Sequence, residues 1–223
     1  MSKEKIHVYF VPGLAASTRI FEYIKLPEKE FKIHLIPWLV PKTKKEDLAD
    51  YANRMCKHIT ETNFILVGVS FGGIVVQEMS KQCKPLKTII ISSVKHHKEF
   101  PLRLKIAKTT KAYKLTPVKV LSNIDSFIKY MHSDFIKKRA ELYKKYLSMR
   151  DDKYLPWAIH NVLHWKQDSN YENTIHIHGN KDSVFPIKNI KNCIVVDGGT
   201  HAMIIYKAKK INRILTEILT KNP

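Results

Sequence analysis

A serine flanked by small residues stands where a buried strand is expected to turn into a helix. Ser70 is the central residue of the pentapeptide 68–72, GVSFG. A side chain on so sharp a turn has a strained backbone, so the residues two before and two after it must be small. The hydroxyl then stands clear of the sheet at a helix N-terminus, whose partial positive charge favours a developing anion. This spacing predicts a serine nucleophile.

An aspartate and a histidine each follow a later apolar run, where further strands are expected to end. Asp182 lies within the segment 178–186, HGNKDSVFP, and His201 lies within the segment 198–203, GGTHAM. The carboxyl ends of parallel strands meet at one edge of a sheet, so both side chains are expected near Ser70. Hydrolytic triads occur with this chain order of Ser, Asp and His. The three positions together predict one site.

Two backbone N–H groups are expected to complete that site. The turn Pro12-Gly13-Leu14 follows the first predicted strand and can offer the N–H of Leu14, while Phe71 follows the serine directly. Reactions that pass through a tetrahedral oxyanion need two such donors. Leu14 and Phe71 are therefore the predicted oxyanion-hole residues.

Other residues of the same types compete for these roles. Asp197 ends the last predicted strand and is a rival acid, but it lies only four residues from His201, which makes a side-on contact awkward. Ser92 and Ser93 are alternative hydroxyls, but neither has the small flanking residues that such a turn needs. Asp182 and Ser70 remain the preferred residues.

Three histidine pairs have spacings that could indicate a metal site or a pocket. His176 and His178 share one face of a predicted strand, but with no third ligand nearby they are interpreted as packed side chains. His160 and His164 have helical spacing without a neighbouring Glu, and we interpret them as residues of the helical insertion, with lining of the pocket as a further possibility. The pair 96–97 is expected in a solvated turn, with substrate contact as the alternative. No metal and no cofactor is predicted.

The elements that would position these residues alternate between strand and helix. The predicted strands are uniformly apolar, which is typical of a parallel sheet covered by helices on both faces. They comprise Ile6–Val11, Phe31–Trp38, Phe64–Val69, Leu86–Ser92, Thr174–His178 and Asn192–Asp197. The predicted helices of the same region comprise Ser17–Ile24 with Ser17 as its cap, Lys45–Thr60, Phe71–Cys83 and Met203–Leu219.

A helical insertion interrupts this alternation between the fourth and fifth strands. Residues 95–170 show no convincing strand, only amphipathic helices such as Ser126–Leu147 and Tyr154–Trp165. We therefore predict an α/β core formed by residues 1–94 and 171–223, built on a mostly parallel six-stranded sheet. The insertion at 95–170 is predicted to be a separate helical unit.

The composition favours a single folded domain and excludes several other classes of protein. The 223 residues are 44% hydrophobic and 26% charged, which suits one domain with a sizeable core and excludes a disordered chain. The three cysteines are scattered without a CxxC pair, so they are read as buried thiols in a reducing compartment. There is no apolar leader and no stretch long enough to span a bilayer. A soluble, cytoplasmic protein is expected.

The chain is strongly basic, with a net charge of +19. Only six of its 39 basic residues are Arg, whereas base readout and bidentate phosphate binding depend on Arg. A lysine-rich solvated surface is therefore expected rather than a specific nucleic-acid site. The charge is uneven, however, because residues 95–150 contain 15 Lys or Arg and four acidic residues.

These motifs resemble those of the α/β-hydrolase family, and the resemblance covers nearly the whole chain. The segments GVSFGG, HGNKDSVFP and GGTHAM look like the family's nucleophile elbow, acid loop and histidine loop. Gly13-Leu14 corresponds to its oxyanion loop, although Pro12 stands where many members have His. The sequence looks like a minimal member that lacks two strands often found before this core. The insertion takes the position of the family's lid.

The resemblance implies the role of each residue. Ser70 would attack a carbonyl, His201 would act as general base and then general acid, and Asp182 would hold the imidazole tautomer. Leu14 and Phe71 would donate N–H groups to the oxyanion. The lid would determine substrate choice, with Phe127, Met131 and Trp157 as acyl-pocket residues if they are not simply core packing.

The predicted function is therefore a serine hydrolase that cleaves a carboxylic ester through an acyl-enzyme. Thioester cleavage, C–C bond hydrolysis and perhydrolysis use nearly the same site and stay open. The basic lid could be a solvated face, or could attract an anionic lipid or an acidic carrier protein that bears the acyl chain. The alternatives from other classes are a non-catalytic binding module on the same fold and a non-specific nucleic-acid binder.

Overall fold

A single sheet of six strands organises the protein. The computed structural model describes residues 4–110, 145–167 and 174–221. The strands are β1 (Ile6–Val11), β2 (Phe31–Leu35), β3 (Phe64–Val69), β4 (Lys87–Ile91), β5 (Thr174–Gly179) and β6 (Ile194–Val196). β1 and β3 have the predicted bounds, whereas β2 and β6 are shorter than their apolar runs.

The strand order places Ser70, Asp182 and His201 at one edge. The order is β2-β1-β3-β4-β5-β6, and all five pairings are parallel. The order of connection reverses between β1 and β3, and such a switch point leaves a crevice at the carboxyl ends of the strands. We call this side of the sheet the carboxyl edge. The predicted mostly parallel six-stranded sheet is confirmed.

Helices cover both faces of the sheet. The helices in the part of the chain that the structure describes are α1 (Leu48–Cys56), α2 (Phe71–Cys83), α3 (Leu102–Thr110), α4 (Tyr154–His164), α5 (Met203–Tyr206) and α6 (Ala208–Lys221). Helix α1 begins later than predicted because the Asp47 side chain accepts a hydrogen bond from the Ala49 N–H and caps it. The C-terminal helix is divided at Lys207. Ser17 precedes a short 3-10 turn at Thr18–Phe21, but its hydroxyl makes no capping bond, contrary to prediction.

Two apolar cores result from this layering. On one face α1, α2 and α4 bury side chains such as Met55, Ile74 and Trp157. On the other face α6 buries Ile211 and Leu215 against β1, β3 and β5. Strands β1, β3 and β4 contribute to both clusters, which explains why their sequences are apolar without alternation.

The insertion is described in two parts, residues 95–110 and 145–167, which contain helical segments. Its second part is joined to the turn after β1, since Met149 N–H donates to Ala15 O at 3.0 Å. Most of the predicted helix Ser126–Leu147, including Phe127 and Met131, lies outside the described residues. In the segments that the structure describes, no helix is long and apolar enough to cross a membrane.

Candidate active site

Ser70 occupies a strained turn between β3 and α2. Its backbone has φ 55° and ψ −118°, in the left-handed half of conformational space that L-residues rarely adopt. A Cβ atom on Gly68 would overlap the backbone of Gly72, and one on Gly72 would overlap the carbonyl oxygens of Val11 and Pro12. Steric exclusion at both glycines therefore explains the small residues on either side of the serine.

Ser70, His201 and Asp182 form a hydrogen-bonded chain at the carboxyl edge. His201 Nε2 lies 3.0 Å from Ser70 Oγ, and His201 Nδ1 lies 2.9 Å from Asp182 Oδ2. Asp182 is buried, whereas Ser70 and His201 are half-buried. If Nδ1 donates to the carboxylate, Nε2 is the free acceptor for the serine proton. The arrangement can thus remove a proton from the hydroxyl.

The loop after β5 holds Asp182 in one orientation. Its Oδ1 accepts hydrogen bonds from the backbone N–H groups of Val184 (2.8 Å) and Phe185 (2.9 Å), so Oδ2 faces His201. Burial, the largest single influence, raises the pKa of Asp182. Hydrogen bonding with His201, the charge of that ring and the Phe185 N–H together outweigh it, so the pKa lies below its usual value. The carboxylate is therefore ionised at neutral pH.

The histidines of β5 support that loop from beneath. His178 Nε2 lies 2.8 Å from Phe185 O, which makes it the donor, and its Nδ1 lies 3.1 Å from His176 Nε2. Burial, reinforced by the charge of the His178 ring, lowers the pKa of His176 to about 2. Both histidines are packed side chains, and within the described residues no group of His, Cys, Asp or Glu could hold a metal ion.

The turn that carries one predicted oxyanion donor lies beside the serine, and the other donor follows the serine directly. Gly13 is so close that a Cβ atom built on it would lie 3.5 Å from Ser70 Cβ, and Leu14 follows it. Phe71 is the first residue of α2, where N–H groups have no partner within the helix. Among the described residues, neither the Leu14 nor the Phe71 N–H donates a hydrogen bond within the protein.

Solved structures resemble this architecture along almost its whole length. No protein-family model and no curated protein matches the sequence. A bromoperoxidase from Bacillus anthracis aligns over 97% of this chain and 92% of its own, with 18% identity and TM-score 0.65. A hydrolase from Pseudomonas aeruginosa PA01 aligns over 97% and 90%, with 14% identity and TM-score 0.68. A carboxylesterase structure from Nitrososphaera gargenis aligns over 97% and 90%, with 17% identity and TM-score 0.63.

The chain has the α/β-hydrolase fold. Within this α/β-hydrolase fold, two of the three rival residues have other partners. Asp197 Oδ1 accepts a hydrogen bond from Asn180 Nδ2 at 2.7 Å. Ser93 is buried and its hydroxyl donates to Ser70 O at 2.7 Å, so it supports the turn. Ser92 is buried too, with no hydrogen-bond partner for its hydroxyl among the described residues.

The remaining histidine pairs lie in the insertion of this α/β-hydrolase fold. His96 caps a 3-10 turn by accepting a hydrogen bond from the Lys98 N–H, and His97 Nδ1 lies 3.1 Å from Gln167 O. His97 therefore joins the two described parts of the insertion, whereas His96 acts within its own turn. The rings of His160 and His164 stack at 4.0 Å on α4.

Of the three predicted acyl-pocket residues, only Trp157 is described. Its ring packs against Tyr51, with centroids 4.2 Å apart, and its indole N–H donates to Glu46 O at 2.8 Å. It is 1% exposed, so it contributes to the core above α1. The three cysteines differ from expectation, since all are half-buried rather than buried.

Three residues for which the sequence predicted no role in the site support it. Ser93 holds the carbonyl of Ser70, His178 holds that of Phe185, and Trp38 donates its indole N–H to Gly13 O at 2.9 Å. Each acts on a backbone atom of another element. No local motif carries such a signal, because a carbonyl acceptor places no demand on residue type.

Proposed function

We propose that the protein is a serine hydrolase that cleaves a carboxylic ester through an acyl-enzyme intermediate. The observation that carries this proposal is the hydrogen-bonded chain from Ser70 through His201 to Asp182, built on a strained turn at the carboxyl edge. A merely structural serine would not need the strained backbone or the two excluded side chains at Gly68 and Gly72.

Each residue has one role in the proposed reaction. Ser70 Oγ attacks the ester carbonyl while its proton passes to His201 Nε2. The negative charge on the carbonyl oxygen is stabilised by the N–H groups of Leu14 and Phe71. The tetrahedral intermediate collapses, and the alcohol leaves with the proton from His201. A water molecule then attacks the acyl-enzyme with the same base, which returns Ser70 to its starting state.

Asp182 acts through the histidine. Its carboxylate orients the ring and stabilises the imidazolium that forms twice in each cycle, without itself taking the proton. A substitution by Asn would keep the size of the side chain but remove that charge. Loss of such a charge in a triad costs about 10⁴ in kcat.

The test compares p-nitrophenyl esters from acetate to long acyl chains, with Ser70→Ala as the variant. We expect hydrolysis by the intact protein and a fall of about three or more orders of magnitude in Ser70→Ala. Ser80→Ala is the matched control, because it removes another hydroxyl of the same region, one that donates to Gln77 O on α2. It should retain the activity.

A fluorophosphonate probe gives an independent measure of the nucleophile. Labelling of the intact protein and of Ser80→Ala, but not of Ser70→Ala, would support the proposal. Equal labelling or equal hydrolysis by Ser70→Ala would contradict it. Thioester analogues of the same acyl chains distinguish an esterase from a thioesterase on the same site, and the preferred chain length measures the acyl pocket.

A further inference from the structure

We propose that Trp38 is the positioning residue of the oxyanion hole, because its indole N–H sets the direction of the Leu14 N–H. The inference deepens the proposed function and rests on it. Trp38 lies three residues beyond the end of β2, the strand that pairs with β1 in the sheet. It is 8% exposed, and its Nε1 donates to Gly13 O at 2.9 Å.

The bond acts on the peptide that carries the proposed donor. Gly13 C=O and Leu14 N–H belong to one planar trans unit, in which the carbonyl and the N–H point in opposite directions. A hydrogen bond that holds the carbonyl therefore also fixes the N–H on the other side. Gly13 O accepts a second bond from the Ala16 N–H at 3.0 Å, which closes the turn locally. The bond from Ala16 is made within the turn, whereas the bond from Trp38 comes from outside it.

The turn has a reason to need an external support. Ala15, directly after Leu14, has φ 61°, a left-handed conformation that costs a non-glycine residue energy. A strained turn relaxes when its supporting bonds are removed, and rotation of the Gly13–Leu14 peptide would carry the N–H away from Ser70. Preorganised donors are effective because they require no reorientation during the reaction.

The same indole also contacts the residue of the second donor. The rings of Trp38 and Phe71 stack with centroids 5.3 Å apart and an interplanar angle of 26°. Phe71 N–H is the other proposed oxyanion donor, at the start of α2. One buried side chain thus links the turn after β1 to the start of α2, and the distance between the two donors depends on it.

Trp38→Phe tests this role, since it keeps an aromatic ring at this position and removes the N–H donor. We expect kcat for p-nitrophenyl acetate to fall about ten- to a hundredfold, less than the hundred- to thousandfold cost of deleting an oxyanion donor. KM should change little, because the ground-state ester makes weaker use of the hole.

Trp165→Phe is the matched control. Trp165 is also buried, and its indole N–H donates to Glu78 Oε1 at 2.8 Å, away from Gly13 and Phe71. Both variants lose one buried indole hydrogen bond, so both should lose thermal stability. Only Trp38→Phe should lose kcat.

Binding of phenylboronic acid reports on the hole without turnover. The boron accepts an electron pair from Ser70 Oγ, the hydroxyl proton moves to His201, and a boron-bound oxygen takes the oxyanion position. We expect the dissociation constant to rise in Trp38→Phe by about the factor lost in kcat, and to be unchanged in Trp165→Phe. Equal changes in the two variants, or none in Trp38→Phe, would overturn the inference.

Amide NMR separates this inference from the proposed function. The Gly13 carbonyl carbon and Leu14 amide nitrogen shifts should move in Trp38→Phe and not in Trp165→Phe. If these shifts move but no protein variant hydrolyses esters or binds the boronic acid, Trp38 holds the peptide and the esterase proposal fails. Unmoved shifts would refute the role of Trp38 whatever the activity.

A second inference concerns two thiols that line a cavity of about 400 Å³ at the last residues of α1 and α2. Cys83 Sγ lies 3.1 Å and Cys56 Sγ lies 3.6 Å from the same acceptor, Met79 O. The two thiols therefore share one acceptor. Both are half-buried and face an open cavity, so a small oxidant can reach them.

We infer that Cys56 and Cys83 are a disulfide-forming pair. One thiolate attacks a low-molecular-weight disulfide and releases one small thiol, and the second thiolate attacks the mixed disulfide and releases another. Two S–H bonds of the protein are replaced by one S–S bond between α1 and α2, and the small disulfide is reduced to two thiols.

Incubation with oxidised glutathione followed by mass spectrometry tests the pair. We expect the loss of two hydrogen atoms, a peptide containing both residues, and the same result in the control variant Cys193→Ser. Cys56→Ser should instead carry glutathione on Cys83. Glutathione on both Cys56 and Cys83 of the intact protein, or no reaction while the unfolded chain reacts, would overturn the inference.

Discussion

At the scale of single residues, Ser70 shows how strain is held in place by its neighbours. Its N–H donates to Ile91 O at 2.9 Å, and its carbonyl accepts bonds from Ser93 Oγ and from the Gly73 N–H. Strain of this kind costs about 1–3 kcal/mol and persists only where the surroundings overdetermine the conformation. Three hydrogen bonds to separate groups meet that condition.

The strain predicts a difference between two inactive variants. Ser70→Gly and Ser70→Ala both remove the hydroxyl, but glycine adopts positive φ without a Cβ penalty. We expect the free energy of unfolding of Ser70→Gly to exceed that of Ser70→Ala by about 1 kcal/mol, after its greater unfolded-state entropy is included. Urea unfolding of the two variants measures this. A less stable Ser70→Gly would mean that the turn carries little strain.

At the scale of elements, β5 contributes both to the buried interior and to the candidate site. It presents His176 and His178 to the interior and ends in the loop that orients Asp182. His176 is 1% exposed, and its pKa is lowered to about 2 by burial first and by His178 second. The folded strand therefore keeps the imidazole of His176 neutral at acidic pH values at which the unfolded chain would protonate it.

The depressed pKa of His176 predicts a loss of stability in acid. Between its folded value and the unfolded value near 6.5 only the unfolded chain binds this proton, so stability falls as pH falls, by up to about 1.4 kcal/mol per pH unit. Above the unfolded value the histidine has no pH-dependent effect. Unfolding free energies from pH 8 to pH 5 should therefore show a smaller slope in His176→Leu than in the intact protein.

The exposed His58 provides the control for that measurement. His58→Leu should keep the slope of the intact protein. An unchanged slope in His176→Leu would show that water reaches the imidazole or that it is protonated in the fold. A lower stability of His176→Leu at pH 8 is expected in any case, because His178 loses a hydrogen-bond donor.

At the scale of the whole molecule, 39 basic residues face only 20 acidic ones. The 20 acidic residues can form ion pairs, such as Arg54 with Glu46 at 2.8 Å, with only a part of the 39 basic residues. Repulsion among lysines therefore dominates the surface electrostatics. Surface ion pairs contribute at most about 1 kcal/mol each, which added salt would weaken. Added salt therefore weakens the repulsion among lysines by more than it weakens the attraction within ion pairs.

This balance predicts that neutral salt stabilises the fold. The Debye length shortens from about 30 Å at 0.01 M to about 10 Å at 0.1 M, which screens charges spread over the surface. The Tm at pH 7 should rise as NaCl is added over that range. Glucose of equal osmolality is the control and should have a smaller effect. A Tm that falls with NaCl would show that specific ion pairs outweigh the general repulsion.

Much of the fold and the candidate site was accessible from local patterns. The bounds of β1, β3 and α2 coincide with the prediction. The two strands could be predicted because a strand buried on both faces must be apolar at every residue. The spacing of Gly68, Ser70 and Gly72 is equally local, since each glycine excludes a Cβ within a few residues of the turn. The roles of Ser70, Asp182 and His201 stay predictions, while their contact is a feature of the structure.

Tertiary packing decided the rest. Asp197 bonds to Asn180 and leaves His201 to Asp182, and Trp38 reaches Gly13 from the segment after β2. Trp157, for which the sequence left core packing and the acyl pocket both open, is buried against Tyr51. Hydrophobic periodicity and turn chemistry act over a few residues, so they can be read along the chain. Hydrogen bonds between residues 17 or more positions apart depend on how elements are placed in space. Where the acceptor is a backbone carbonyl, as at Gly13, it is also the same for every residue type.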